Sequence, residues 1–408
     1  MTPKKENPMQ FPLVDSSYDN QEIIACIETL LSGQLTMGEK VRAFEKTFAE
    51  KVGAPFAVMC NSGSSANLLA FAAVTNPIRA RQLKRGDKVA IPAVCWSTSI
   101  WPVIQMGLVP VLVDVDPNTM NMSIPSLKRA VLQCDIKAIL LVHVLGNSTE
   151  INEVLEIAHN NDLLLIEDAC ESLGSTHKNR WLGTVGEFGT YSMYFSHHIT
   201  TIEGGMVVTK TEADYDLLKC LRSHGWSREL SNRDQIEAMN PTIDPRFLFV
   251  NIGYNLRPME IQAAFGLEQI KRLDSMNFER RSNVSRLRNA MRNHPMWQGQ
   301  FMFPEPTSDL DPCWFGFPII FSTACVDYRS IVNNLVQHGI DTRPIVSGNF
   351  AIQPALQLFD IDMSLGPFDG AQRIHDRGIF IGCHSKRLED DRIESLSDIV
   401  LRAAIGAL

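Results

Sequence analysis

The chain has 408 residues, 45% hydrophobic and 21% charged, an ordinary globular composition that can bury a large core without disulfide staples. Its formal net charge is −8 and no basic block stands out, which argues against a general nucleic-acid surface while leaving room for one small phosphorylated ligand. The nine cysteines stand singly, at 26, 60, 95, 134, 170, 220, 313, 325 and 383, and read as reduced thiols of a cytoplasmic protein.

The opening stretch, MTPKKENPMQFPLVDSSYDN, is polar and has no apolar segment of the signal-peptide kind. Apolar runs such as AILLVHVLG (138–146) are too short to span a membrane. Two helices are predicted over 20–50, IIACIETLLSG and EKVRAFEKTFAEKVG, each closed by a glycine. Short β-rich runs follow (PFAVMC, KVAIP, VPVLVDV, AILLVHVLG, DLLLIED, GTYSMYF, GGMVVT), separated by helix-length segments such as SSANLLAFAAV and EINEVLEIAHNN. That alternation predicts one large α/β domain over 1–265, with a mostly parallel mixed sheet sandwiched by helices. A long charged helix, 259–294, leads into a smaller α+β C-terminal domain over 266–408. There WFGFPIIFS reads as a strand, YRSIVNNLVQHGI as a helix and IESLSDIVLRAAIGAL as a closing helix.

Three segments stand at the ends of predicted strands, where open α/β sheets hold ligands. CNSGSSANLLA (60–70) is a hydroxyl-rich turn entering a helix. Its backbone N–H groups, with the Ser64 and Ser65 hydroxyls, suit a phosphate and serve equally well as a plain helix cap. LLLIEDACESLG (163–174) delivers Asp168 to a strand end. A buried carboxylate there needs a cationic partner, such as a protonated ring nitrogen, or a capping role. GTYSMYFSHHITTIEGGMVVT (189–209) carries Ser192, then His197 and His198, then Glu203-Gly204-Gly205. An isolated histidine pair suits a core or a surface as readily as chemistry, and no third ligand at helical or hairpin spacing supports zinc, so no metal is expected.

Taken in order, these segments resemble the sugar-modifying branch of the fold-type I aminotransferases, the DegT/DnrJ/EryC1/StrS family. In that branch a lysine holds pyridoxal phosphate as a Schiff base. Here His197 stands in the lysine's place, no lysine occurs between Arg180 and Lys210, and Lys210 lies beyond the Gly-Gly turn. The exchange resembles the lysine-lacking nucleotide-sugar 3-dehydratases. QLTMGEKVRAFE, IPAVCWSTS, CLRSHGW, GYNLRPME, WFGF and TRPIVSGNF match as well, so the resemblance runs from about residue 15 nearly to the C-terminus.

The resemblance implies a fold-type I, pyridoxal-phosphate-dependent architecture with pyridoxal 5′-phosphate or pyridoxamine 5′-phosphate held non-covalently. It implies loss of the C3 hydroxyl from a nucleotide-linked 4-keto-6-deoxyhexose, favouring a GDP-mannose-derived substrate. L-glutamate would restore the amine form, with release of ammonia and 2-oxoglutarate. His197, titrating near neutrality, is then the proton carrier. Ser64, Ser65 and Ser192 fall on the phosphate, and Asn255 of GYN reaches in from the partner of a homodimer with shared active sites. Trp96 stacks on the ring, Asp168 meets the ring nitrogen, and Glu171, where many relatives carry glutamine, lies near the ring hydroxyl. His224 of RSHGW is placed near the sugar or the amino donor. Arg343 suits a carboxylate or phosphate, or a structural ion pair. A sister group of dehydratases carries an iron–sulfur cluster on a CxC pair. The matching stretch here offers only Cys220, so no cluster is expected. A sugar aminotransferase using some other lysine, and a non-catalytic relative that keeps the fold, remain as alternatives.

Overall fold

Capping explains where the first two helices begin and end. In α1 (Asn20–Ser32), Asp19 and Glu22 form a capping box, and Gly33 stops the helix at φ +73°. In α2 (Glu39–Val52), Gly53 does the same at φ +70°. The N-cap of α2 is Gly38, which has no side chain to offer. The buried carboxylate of Glu260 caps it instead, accepting the N–H groups of Gly38 at 2.8 Å, Lys40 at 2.8 Å and Val41 at 3.0 Å. These details come from a computed structural model that describes residues 11–407 apart from 323, 324 and 326. Residues 1–10 of the expected large domain lie outside the described residues.

Seven strands make the main sheet: β1 (Phe56–Cys60), β2 (Lys88–Pro92), β3 (Val109–Val113), β4 (Ile136–Val142), β5 (Leu164–Asp168), β6 (Phe188–Ser192) and β7 (Gly205–Thr209). Their order is β1-β7-β6-β5-β4-β2-β3. β7 runs antiparallel to β1 and β6, and the other pairs are parallel. Every residue of β5, β6 and β7 is buried, as a sheet covered on both faces requires. Register brings the working ends together: Thr190 lies opposite Asp168, and Gly205 lies opposite both Cys60 and Ser192. Two helices open toward that edge, α3 (Gly63–Val74) and α4 (Ser97–Gln105).

α5 (Glu260–Asn293) is continuous for 34 residues and passes position 265 without a break. Its Ala263, Ile270 and Leu273 share a core with Phe44 and Phe48 of α2. Its Val284, Leu287 and Met291 join the cluster that holds Ile393 and Val400. One helix therefore carries the chain from the larger unit to the smaller. The smaller unit has a four-stranded sheet, β8 (Phe301–Met302), β9 (Gly316–Phe321), β10 (Thr342–Pro344) and β11 (Gly378–Gly382), in the order β8-β9-β11-β10. α6 (Tyr328–Gln337) and α7 (Asp390–Ile405) belong to the same unit.

The N-terminal segment behaves differently from its place in the sequence. Phe11 donates its N–H to Gly339 O at 2.9 Å, accepts from Asp341 N–H at 3.0 Å, and stacks on His384 with ring centroids 4.4 Å apart. Phe11 thus lies on the smaller unit although it precedes α1. No described helix is long and apolar enough to cross a membrane.

Candidate active site

At the end of β1 the chain turns through Ser62 into α3. Ser62 is the cap, its Oγ accepting the Ser65 N–H at 3.1 Å. Ser192, at the end of β6, closes on this turn. A Cβ at Gly63 would sit 2.5 Å from Ser192 Cβ, so the missing side chain is what permits the approach. Ser64 Oγ lies 2.9 Å from Thr98 Oγ1. The helix start and these hydroxyls border a cavity of about 500 Å³ whose wall also includes Phe315, Arg343 and Phe380 of the smaller unit.

β5 brings Asp168 to the same cavity, 5% exposed. Its Oδ2 accepts from Asn67 Nδ2 at 2.8 Å and Ser99 Oγ at 2.7 Å, and its Oδ1 accepts the Cys170 N–H at 3.2 Å. Among the described residues no lysine or arginine pairs with it. Glu171 accepts the Leu145 N–H at 2.9 Å. Burial pushes its carboxyl up to about 7, with the Asp168 charge adding and the Leu145 N–H opposing. Trp96 stands at the cavity's edge, 58% exposed.

His197 completes the wall. Its ring meets Phe315 edge-on at 4.9 Å and Tyr194 at 6.0 Å between centroids, and its Nδ1 is buried without a partner. Burial, then the charge of Arg280, drives its pKa down to about 3. Titration near neutrality is thus corrected: this imidazole is neutral, the form that accepts a proton. His198 lies outside the cavity lining, and its Nε2–H donates to Cys313 O at 3.0 Å.

Not every expected residue joins the cavity. Ser65 turns back on Ser62, their hydroxyls 3.1 Å apart. His224 packs on Trp226 at 4.6 Å, at φ +60°, and Asn255 accepts from Arg257 Nε at 2.9 Å. Neither lines the cavity of its own chain. Arg343 does line it while pairing with Asp341 at 2.7 Å, so both of its expected roles stay open. Among the described residues no lysine lines the cavity. Lys210 donates to Val185 O at the opposite end of β7, about 16 Å away at strand rise.

Residues 16–400 match the model of the DegT/DnrJ/EryC1/StrS aminotransferase family. The chain belongs to that family. Within it, the chain is 39% identical over 396 residues to the GDP-4-keto-6-deoxy-D-mannose 3-dehydratase of Escherichia coli O55:H7, covering 96% of this chain and 100% of that one. A solved structure of the E. coli GDP-4-keto-6-deoxy-D-mannose-3-dehydratase with bound hydrated PLP superposes with a TM-score of 0.89 at 38% identity, covering 96% and 100% of the two chains. Another, of GDP-4-keto-6-deoxymannose-3-dehydratase with a trapped PLP-glutamate geminal diamine, gives 0.88 at 39% identity and the same coverage.

The cavity of this family member fits pyridoxal phosphate on its own geometry. A helix N-terminus flanked by Ser64 and Ser192 suits the phosphate. Asp168, buried with donors but no cation, suits a protonated ring nitrogen. The His197 ring stands in the wall, and among the described residues no lysine lines the cavity to tether the group.

Sequence reading missed Ser62, Asn67, Thr98, Ser99 and His143, all of which line the cavity. Helical spacing gave one usable signal: Asn67 is three residues beyond Ser64, hence on the same face of α3. His143 had none. Its buried ring spans Ser148 Oγ at 2.9 Å and Glu167 at 3.0 Å, contacts that only folding creates.

Proposed function

We propose that this chain is a pyridoxal/pyridoxamine-phosphate-dependent nucleotide-sugar 3-dehydratase acting on GDP-4-keto-6-deoxymannose, with L-glutamate as amino donor. The observation that carries the reading is the imidazole of His197 in the wall of a cavity that no lysine lines among the described residues. The relatives named above support the substrate, and the glutamate adduct of one of them supports the donor.

When bound, the cofactor supplies an amine for the sugar's C4 carbonyl and a conjugated ring that takes up electrons. The residues of the chain do the rest. Ser64, Ser192 and the first turn of α3 hold the phosphate, with Ser65 supporting the turn through Ser62. Trp96 covers one face of the ring, Asp168 keeps its nitrogen protonated, and Glu171 stands near its hydroxyl. Tyr194 and Phe315 pack on His197, whose ring nitrogen facing the cavity would take a proton and return it as the C3 hydroxyl departs. Overall, the two electrons glutamate loses on becoming 2-oxoglutarate and ammonia are the two the sugar gains in exchanging C–OH for C–H.

His224, Asn255 and the outward Ile23, Ile24, Ile27 and Leu31 of α1 are assigned to a homodimer in which each copy lends residues to its partner's site. Arg343 is assigned to an anionic group of donor or substrate. The enzyme works in the cytoplasm, on a small molecule rather than a nucleic acid or a membrane.

The test supplies GDP-4-keto-6-deoxymannose and glutamate and follows ammonia and 2-oxoglutarate together. Equimolar release in step with deoxysugar supports the reading. An amino sugar without free ammonia would overturn it.

A further inference from the structure

The carboxylate of Asp168 does not stand alone. Its Oδ2 takes two donors, Asn67 Nδ2 at 2.8 Å and Ser99 Oγ at 2.7 Å, whereas Oδ1 takes one long N–H bond, from Cys170 at 3.2 Å. The second Asn67 Nδ2 hydrogen goes to Thr98 O at 3.3 Å. With both hydrogens committed to acceptors, Asn67 Oδ1 needs a donor, and Thr190 Oγ supplies it at 2.6 Å. Asn67, Ser99 and Thr190 are each at most 2% exposed. If the Asn67 amide flipped, its oxygen would face the carboxylate oxygen and the bond to Asp168 would be lost.

The geometry points to Thr190, Asn67 and Ser99 as positioning residues that saturate one oxygen of Asp168 and aim the other, Oδ1, at the pyridine nitrogen of the cofactor. Thr190 lies outside the cavity lining and acts through Asn67, while Asn67 and Ser99 line the cavity and hold Asp168 directly. Three separate elements contribute: Asn67 from α3, Ser99 from α4, and Thr190 from β6, opposite Asp168 in register. This gives the carboxylate a single facing with no cationic side chain paired to it among the described residues, so the ring nitrogen would supply its positive partner.

The inference rests on the cofactor reading above, and the experiment separates the two. Thr190→Val removes the hydroxyl with little change in shape, Thr190→Ser retains it, and Ser99→Ala removes the second donor. Each is titrated with pyridoxal phosphate labelled with ¹⁵N in the ring. Binding is measured by equilibrium dialysis, nitrogen protonation by ¹⁵N NMR, and folding by the melting of the cofactor-free protein. Thr190→Val and Ser99→Ala are expected to bind roughly ten-fold more weakly, with the nitrogen resonance moved toward the unprotonated position. Thr190→Ser is expected to behave as the parent. If both substituted proteins keep the parent's affinity and ¹⁵N shift, the positioning role is overturned. So is it if weakened binding comes with an unmoved shift, since a loosened fold alone would do that. A parent that fails to bind the cofactor overturns the earlier reading instead.

Discussion

The imidazole of His197 meets the ring of Phe315 edge-on, with centroids 4.9 Å apart, so a side chain of the smaller unit packs on the ring that the larger unit provides. His197→Lys puts an amine in that place. It is expected to gain a borohydride-fixable link to pyridoxal phosphate, visible as a mass increase, and to lose at least about a hundred-fold in dehydration rate. Unchanged turnover would remove His197 from the proton pathway.

Gly63 is the point at which α3 approaches Ser192. Gly63→Ala places a methyl 2.5 Å from Ser192 Cβ and 2.9 Å from its Oγ, which forces the two sides of the phosphate cradle apart. Equilibrium dialysis should show pyridoxal phosphate bound at least about ten-fold more weakly. Parent-like affinity would mean that the cradle is not where the phosphate binds.

Glu260 caps α2 from 222 residues away in sequence. Glu260→Gln keeps the size but replaces one accepting oxygen with a donor facing backbone N–H groups. Chemical denaturation should show a loss of roughly 1–3 kcal/mol. A change within error would mean that water caps α2 just as well.

Glu171 carries a pH dependence whose sign follows from its burial. The folded chain holds this carboxyl protonated up to about 7, whereas the ordinary value is 4.5. Between these values unfolding releases a proton, so its contribution to stability falls as pH rises from 4.5 to about 7. Glu171→Gln cannot titrate. The stability difference between variant and parent, measured on cofactor-free protein, should therefore grow in the variant's favour across that window. A pH-independent difference would contradict the raised value.

Asn255 and His197 should complement each other between subunits. Neither Asn255→Ala nor His197→Asn is expected to work well alone. Mixed and reassembled, half of the dimers are heterodimers, each with one intact site, so activity should return to about a quarter of the parent's. No recovery, with mixed dimers demonstrated by mass spectrometry, would place both residues in the same copy's site.

Much of this was legible in the sequence because the signals are local. Glycines after IIACIETLLS and EKVRAFEKTFAEKV stop helices wherever those segments fold, and the strand–helix alternation predicts the seven-stranded sheet with its strand ends gathered at one edge. Asp168 at the end of an apolar run and His197 between Ser192 and the Gly-Gly turn could be named from spacing and resemblance, and both line the cavity. Other features depend on pairs far apart in the chain. Asn67 and Ser99 reach Asp168 from 101 and 69 positions away, and Phe11 lies on a unit whose other strands begin near residue 300. Whether His197 is neutral was likewise beyond the sequence, because desolvation and the charge of Arg280 exist only once the two units close around it. Residue type and periodicity set which groups the chain carries and where each element starts and stops. Tertiary packing alone set their proton affinity and aim, since both depend on neighbours brought close in space rather than along the chain.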